Sequence, residues 1–463
     1  MIYGSLPPMK VVKIGGGCLK DGKAARTIIQ LIASRGQGDI FVVSAFYGVT
    51  NILLSGIESS LESEESIGKT ITQLKTLHHE IIHFLFSDPA RIHELKEKMD
   101  RVLHKLERYY YGISFTREAT PRMRDMVATF GERMSALVLS GAVELLGVDT
   151  GIALPEELGI ITDGKFMDAT ALMNPTGENL KAFMEREMTG SKVLFVPGFY
   201  GISETGEITT FGRGGSDYSA AVVAAGVRAE VLEIWKDTPG FMTADPDNIP
   251  HCRLIPRLTY EEAAELAYTG AGILHPRTVE PVRASRIDIA IKNTYDPDAR
   301  GSLITGDAIE TDRVIKSVSY TKDISILKIH ASGVGARQGI LSLITEAVSG
   351  QGINIKSVIT SQTCISLLVS RKDIGRAHEC VGNIRPIPFR EASFRADVAL
   401  VSIVGEGLHL NRGIAAKCFT AVSRANVNVE MISSGTSDAA LYFLVQESSL
   451  DDTIQALHAT FFD

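Results

Sequence analysis

The sequence predicts an α/β layered fold to about residue 305, followed by two small sister units, and three observations lead there. Short apolar runs of strand length, Val11–Ile14, Ile40–Val43, Val193–Val196, Val231–Trp235 and Ile287–Lys292, alternate with amphipathic stretches. That order is the pattern of a sheet layered with helices. Beyond about Thr311 the texture changes and residue n begins to resemble residue n+74: Gly339-Ile340 matches Gly413-Ile414, Ile353-Asn354-Ile355 matches Val427-Asn428-Val429, and Ile326–Ile329 matches Leu400–Ile403. A period this long is not that of a solenoid, so each copy reads as a small domain of strand, glycine loop, helix, strand and a further strand. Segment Pro386–Ala396, with two prolines, reads as their connector. Finally, 463 residues with 44% hydrophobic and 22% charged content suit a globular chain of about three folded units at ~150 residues each. Between Glu62 and Tyr111 the apolar residues fall at helical spacing (Ile81, Ile82, Leu85, Leu95, Met99, Leu103, Leu106), which predicts helices inserted beside the sheet as a lid or an interface.

Composition removes several function classes. Lys and Arg number 47 against 55 Asp and Glu, a net charge of -8, so no excess of positive charge is available to displace counterions from nucleic acid. The five cysteines are odd in number and contain no CxxC, which argues against a disulfide framework and a cysteine zinc site. Pro7 and Pro8 interrupt the stretch a signal peptide would need, and no run approaches the ~18 apolar residues of a membrane span. A cytoplasmic chain with no membrane or nucleic-acid partner is expected.

Three motifs mislead. His79-Glu80-Ile81-Ile82-His83 fits HExxH, but Phe84, Leu85 and Phe86 supply no further ligand, and an amphipathic helix explains it; no metal-binding residue is assigned. Gly17–Lys23 fits GxxxxGK, yet Ala24 replaces the Ser or Thr that would hold Mg²⁺. Gly212-Arg213-Gly214 opens like a dinucleotide fingerprint, but Asp217 stands at the third glycine, where its charge would repel a pyrophosphate.

Four segments carry chemistry. In Val11-Val12-Lys13-Ile14-Gly15-Gly16-Gly17 a lysine near a strand end precedes glycines whose N–H groups can approach phosphate oxygens; a tight turn with a solvated lysine is the plainer alternative. In Thr209–Ser219 the loop Gly212-Arg213-Gly214-Gly215-Ser216-Asp217 leads into a helix of small residues. Arg213 is free to clamp a carboxylate, Ser216 lies near the helix start, and Asp217 can orient Lys13 or attract a metal. Phe130-Gly131-Glu132-Arg133-Met134-Ser135 opens a helix on which Glu132 could receive an ammonium group, or be an ordinary first-turn glutamate. Val231–Pro246 is a buried strand turning through Pro239-Gly240, at the carboxyl end of a sheet where nucleotides bind.

Taken in order, these segments, with Val43-Ser44-Ala45, Gly48-Val49-Thr50-Asn51, Lys236-Asp237 through Pro246 and His275-Pro276-Arg277, resemble the aspartokinases of the amino acid kinase superfamily, and the C-terminal pair resembles their tandem ACT domains. The resemblance covers nearly the whole chain from about Met9. It implies an amino acid kinase-like three-layer sandwich with a mainly parallel sheet at 9–305, then βαββαβ-type ACT domains at 315–385 and 396–463. It also implies MgATP-dependent phosphorylation of the L-aspartate side chain, the first step toward lysine, threonine and methionine. By motif position Lys13 and Asp217 are catalytic. Thr50, Glu132, Arg213 and Ser216 contact aspartate, and Lys13, Gly15, Gly16, Lys236, Asp237 and Met242 contact the nucleotide. The chain departs from many relatives at Gly17 and Cys18, at Lys236 and Met242 in the nucleotide turn, and at Gly272, where a lysine is frequent; Lys236 is expected to supply the charge that Gly272 cannot.

ACT pairing implies a homodimer or larger, with an amino-acid effector, lysine and/or threonine, at Gly335, Gly339 and Asn354 and at the equivalent loop Gly405–Gly413. Two other readings stay open at this level: a related kinase acting on glutamate, acetylglutamate or UMP, and a catalytically silent amino-acid sensor.

Overall fold

A computed structural model describes residues 9–463 other than 189–191, 271, 307–313, 332–333, 335–337, 386–388 and 409. The described residues divide into two compact units. The first runs to Phe241 and takes in Pro256–Ala264 and the stretch from Ile273 through the last strand of the main sheet. The second takes Met242–Ile255, Glu265–Gly272 and the chain from Val314 onward.

The first unit follows the predicted alternation. Its elements are β1 (Lys10–Ile14), α1 (Gly22–Arg35), β2 (Ile40–Val43), α2 (Val49–Glu62), α3 (Glu65–Leu85), α4 (Pro89–Thr116), α5 (Pro121–Ala128), α6 (Phe130–Glu144), β3 (Thr150–Ile152), α7 (Pro155–Leu158), β4 (Ile161–Thr162), α8 (Met173–Glu187), β5 (Val193–Pro197), β6 (Tyr200–Ser203), β7 (Ile208–Thr210), α9 (Gly215–Val227), β8 (Val231–Lys236), β9 (Arg257–Thr259), α10 (Tyr260–Tyr268), which is divided between the units, α11 (Val279–Ser285), β10 (Asp288–Asn293) and β11 (Ser302–Thr305). The main sheet has the order β3-β5-β2-β1-β8-β10-β11-β9, parallel except at β10/β11. Strands β2 and β5 are buried along their whole length, which is why they read as continuous apolar runs, whereas β1 and β8 carry Lys13, Glu233 and Lys236 among apolar residues. A small sheet, β4-β6-β7, lies beside it in the same unit.

Helix α9 is made almost wholly of small buried residues, so its backbone can lie close to β1, β2 and β8. Where α8 crosses it, a Cβ on Gly226 would come within 2.4 Å of Leu180. The other face carries α1 and α6, with α2, α3 and α4 outside them. Helices α3 and α4 are the insertion expected from the spacing at Glu62–Tyr111. Asp88 caps α4 through the N–H of Ala90, Pro89 occupies its first turn, and Leu95, Met99, Leu103, Leu106 and Tyr110 form its buried stripe. Among the described residues no helix is long and apolar enough to cross a membrane.

The second unit shows the repeat directly. Its elements are β12 (Ser317–Thr321), β13 (Ser325–His330), α12 (Ile340–Ser349), β14 (Ile355–Thr360), β15 (Cys364–Val369), α13 (Ile374–Gly382), β16 (Glu391–Arg395), β17 (Val398–Val404), α14 (Ile414–Arg424), β18 (Met431–Ser433), β19 (Ala440–Gln446) and α15 (Leu450–Phe462). Helices α12 and α14 each begin after a left-handed glycine, Gly339 (φ 84°) and Gly413 (φ 83°). Two four-stranded sheets result, β14-β15-β13-β16 and β12-β17-β19-β18, whose described pairings are all antiparallel. They interleave: β12, ahead of the first repeat, pairs with β17 of the second, while β16 pairs with β13 of the first. The stretch read as a connector therefore contains a strand. The sequence hid it because β16 is an edge strand with mostly exposed side chains, so it lacks the apolar signal of a central strand.

Candidate active site

Lys13 points from β1 toward α9, since side chains alternate along a strand and Val12 and Ile14 face the opposite core. A lysine only 4% exposed must meet an anion, and Lys13 Nζ lies 2.5 Å from Asp217 Oδ1 in the first turn of α9. The other oxygen of Asp217 accepts from Lys236 Nζ at 3.3 Å, at the end of β8. Strands β1 and β8 are parallel neighbours, with Ile14 opposite Trp235, so two ammonium groups and one carboxylate converge where both strands end. Burial alone would raise the Asp217 carboxyl, but Lys13 and Lys236 outweigh it and hold the group below its usual range. Burial, and next the like charge of Lys13, lower Lys236. The cluster is net cationic, as a phosphate site requires.

The glycine turn borders this cluster. Gly15 N–H donates to Trp235 O at 3.3 Å, and a Cβ on Gly15 would stand 3.2 Å from Lys13 Nζ. Beside it, a Cβ on Gly17 would stand 3.1 Å from Asp237 Oδ2, which pairs with Lys20 at 2.9 Å. The hydrogen bond from Lys20 lowers the Asp237 carboxyl. Cys18 is buried, its thiol directed at Trp235 O. Sequence-predicted Lys13, Gly15, Gly16, Lys236, Asp237 and Asp217 therefore share one corner of the first unit.

The loop before α9 is built from unexpected parts. Arg213 is exposed and Ser216 half-buried, on either side of Gly214, whose φ of 68° and contact with His275 (2.3 Å from a modest Cβ) exclude any larger residue. Asp125, buried on α5, accepts from Thr210 N (3.0 Å), Thr210 Oγ1 (2.6 Å) and Met167 N (2.9 Å), fixing the strand end that feeds the loop. From the other side Arg277 donates to Phe211 O (3.1 Å) and Ala169 O (2.6 Å), pairs with Asp168 (2.9 Å), and lies over the Tyr218 ring. The sequence reading assigned no role to Asp125 or Arg277; only the His275-Pro276-Arg277 triplet pointed at the latter.

Glu132 sits in the first turn of α6, 4% exposed, with Oε2 lacking a partner. Burial pushes its carboxyl up to about 8, against the N–H groups of Glu132 and Ala45 and the charge of Lys13. Its neighbour Arg133 pairs with Glu156 (2.9 Å), which also accepts from Tyr200 Oη (2.9 Å), and Ser135 Oγ donates to Ser44 O (2.7 Å). Thr50 is half-buried in the first turn of α2, after left-handed Gly48. The remaining predicted contacts fall in the second unit. Met242 lies on the Met242–Ile255 segment, Gly339 caps α12, and exposed Asn354 precedes β14, whereas Gly335 lies outside the described residues. The helix carrying HExxH is present as α3; His79 is held by Asp100 and His83 is exposed.

Residues 8–293 match the amino acid kinase family and residues 401–461 an ACT domain. The chain is 30% identical to "Aspartokinase 2, chloroplastic" of Arabidopsis thaliana over 467 residues, covering 98% of this chain and 84% of that one. Its fold is similar to that of E. coli aspartokinase III in complex with aspartate and ADP (TM-score 0.84, 23% identity, 99% of this chain and 100% of that one). It is also similar to the same enzyme in complex with lysine and aspartate (TM-score 0.79, 24% identity, 98% and 100%). The chain belongs to the aspartokinases, within the amino acid kinase family.

Proposed function

We propose that the cluster of Lys13, Asp217 and Lys236 receives the phosphoryl group that passes from ATP to the side-chain carboxylate of L-aspartate, giving 4-phospho-L-aspartate and ADP. The observation that carries this is the pairing of two buried lysines through one carboxylate at the ends of β1 and β8. A carboxylate oxygen of aspartate attacks the γ-phosphorus as the bond to the bridging β,γ-oxygen breaks. The attacking group is already ionised, so no general base is needed, and catalysis is positioning plus neutralisation of charge. Lys13 meets the transferring oxygens and Asp217 keeps it aimed. Arg213 takes a carboxylate of aspartate and Glu132 its ammonium, with Thr50 and Ser216 as hydroxyl partners; Gly15, Gly16, Lys236, Asp237 and Met242 belong to the nucleotide side. Lys236 there stands in for the lysine missing at Gly272.

Magnesium fits as an ion carried by the nucleotide. Asp217 is taken up by two lysines, which leaves Asp237, half-buried and with only one oxygen on Lys20, as the carboxylate able to reach a metal-bound water. When bound, the ion supplies charge neutralisation at the phosphates.

We assign the kinase to 9–305 and the ACT sequence blocks to 315–385 and 396–463, with β12 and β16 exchanged between their sheets. An amino acid, lysine and/or threonine, is taken as feedback effector there, around Gly335, Gly339 and Asn354. The E. coli relative in complex with lysine supports this, as does the exposure of the β14 edge. An effector acts only through different affinities for two arrangements. Assembly as a homodimer or larger through the ACT blocks and a cytoplasmic location, in keeping with five unpaired cysteines, complete the reading.

Coupled ADP release with aspartate against glutamate, acetylglutamate and UMP identifies the acceptor, and hydroxamate formation from aspartate and ATP, repeated with lysine, threonine and methionine, tests activity and feedback together. Turnover of another acceptor but not aspartate overturns the substrate, and no turnover with any acceptor leaves an amino-acid sensor. Light scattering that gives a monomer at micromolar concentration overturns the dimer.

A further inference from the structure

His251 lies on the Met242–Ile255 segment, His458 on α15 and Asp463 just beyond that helix, all in the second unit. One ligating atom from each lies within 4.8 Å of the other two, the single such group of His, Cys, Asp and Glu among the described residues. The second observation is His458 itself. It is 1% exposed, Nε2 lies 3.1 Å from Thr243 Oγ1, and Nδ1 has no partner. A buried imidazole nitrogen left unpaired is costly and calls for a ligand.

We propose that His251, His458 and Asp463 form a binding site for a divalent transition metal, with zinc the best fit. Two imidazoles and one carboxylate favour zinc, cobalt or nickel over magnesium or calcium, which prefer oxygen ligands throughout. Tetrahedral ligands around zinc stand roughly 3.3 to 3.5 Å apart, given bond lengths of about 2 Å. His251 Nε2 and Asp463 Oδ1 are 3.9 Å apart on side chains 66% and 50% exposed, so both can rotate onto the fixed His458. The rings of His251 and His458 meet edge-to-face at 5.4 Å.

With Nε2–H donating to Thr243 Oγ1, Nδ1 of His458 carries its lone pair, the orienting hydrogen bond that metal-bound imidazoles commonly have. Arg253 opposes a cation; its guanidinium is engaged by Phe462 O at 3.0 Å. Three protein ligands leave a position for water. The ion would join the Met242–Ile255 segment to α15, a connection also made by Thr243 on His458 (3.1 Å), Asn248 on Asp451 (2.7 Å) and Arg253 on Phe462.

Untagged full-length chain, stripped with chelator, is titrated with Co²⁺ and with Zn²⁺ by calorimetry and visible absorption. The expected result is one Co²⁺ per chain with tetrahedral d–d bands, displaced by Zn²⁺. His251→Ala and Asp463→Asn, both at exposed positions, keep the wild-type circular dichroism and weaken binding at least about tenfold. Absence of binding at micromolar metal, or binding unchanged in both variants, overturns the site. Kinase turnover is not the readout, so failure here leaves the aspartokinase reading untouched.

Discussion

Glu132 gives the sharpest test, because its charge is at odds with its surroundings. Its carboxyl moves from the ordinary 4.5 to about 8 on burial in the ligand-free protein. The folded-state value is raised, so the stability linked to this group is fully present below the unfolded value and is lost as pH rises toward about 8. At roughly 1.4 kcal/mol per pH unit this amounts to roughly 3 kcal/mol lost by pH 7 and roughly 5 kcal/mol in all. Glu132→Gln abolishes the titration while keeping the shape. The new amide leaves a buried donor unpaired, costing about 1–3 kcal/mol, so the slope with pH is the readout rather than the absolute stability. Thermal unfolding of ligand-free protein between pH 5.5 and 8 should show the wild-type Tm falling relative to the variant by roughly 1–2 °C per pH unit. Parallel Tm profiles would refute the assignment of a protonated Glu132. Aspartate brings an ammonium group that favours the ionised carboxylate, so substrate binding releases a proton. The aspartate KM should then fall as pH rises to about 8, by up to about tenfold per unit, and the variant should lose that dependence.

Three further outcomes follow from the same corner of the molecule. Lys13→Met should lower kcat by about 10²–10³ with both KM values within a few-fold, since its charge meets oxygens whose charge changes during transfer; stopped assays measure this, and a change confined to KM contradicts it. Lys236→Ala should raise the ATP KM by about tenfold while leaving the aspartate KM in place, and an unchanged ATP KM removes Lys236 from the nucleotide site. Asp125→Ala strips Thr210 and Met167 of a buried acceptor, so it should destabilise the first unit by roughly 3 kcal/mol and raise the aspartate KM more than the ATP KM. A stability loss with an intact aspartate KM makes Asp125 a structural residue only.

What could be read from sequence divides along a physical line. Lys13 was legible because a lysine near a strand end runs into glycines that can approach phosphate oxygens, and Asp217 because a carboxylate in a glycine loop contradicts a dinucleotide site; each breaks a local pattern. The repeat offset was equally visible, since Gly339 and Gly413 both serve left-handed helix starts that few other residues tolerate. Asp125 breaks nothing locally: an aspartate on a short polar helix is ordinary, and its partners lie 42 and 85 residues away. Strand β16 was missed for the opposite reason, because an exposed edge strand buries too little to leave an apolar imprint. The residues that clash with their surroundings announce the chemistry, while those that hold the loop carrying Arg213 in place satisfy every local rule and become recognisable only when distant donors are seen to converge on them. On the proposed reading Asp125 and Arg277 act by holding that loop, so changes there should raise the aspartate KM without altering any group that touches aspartate.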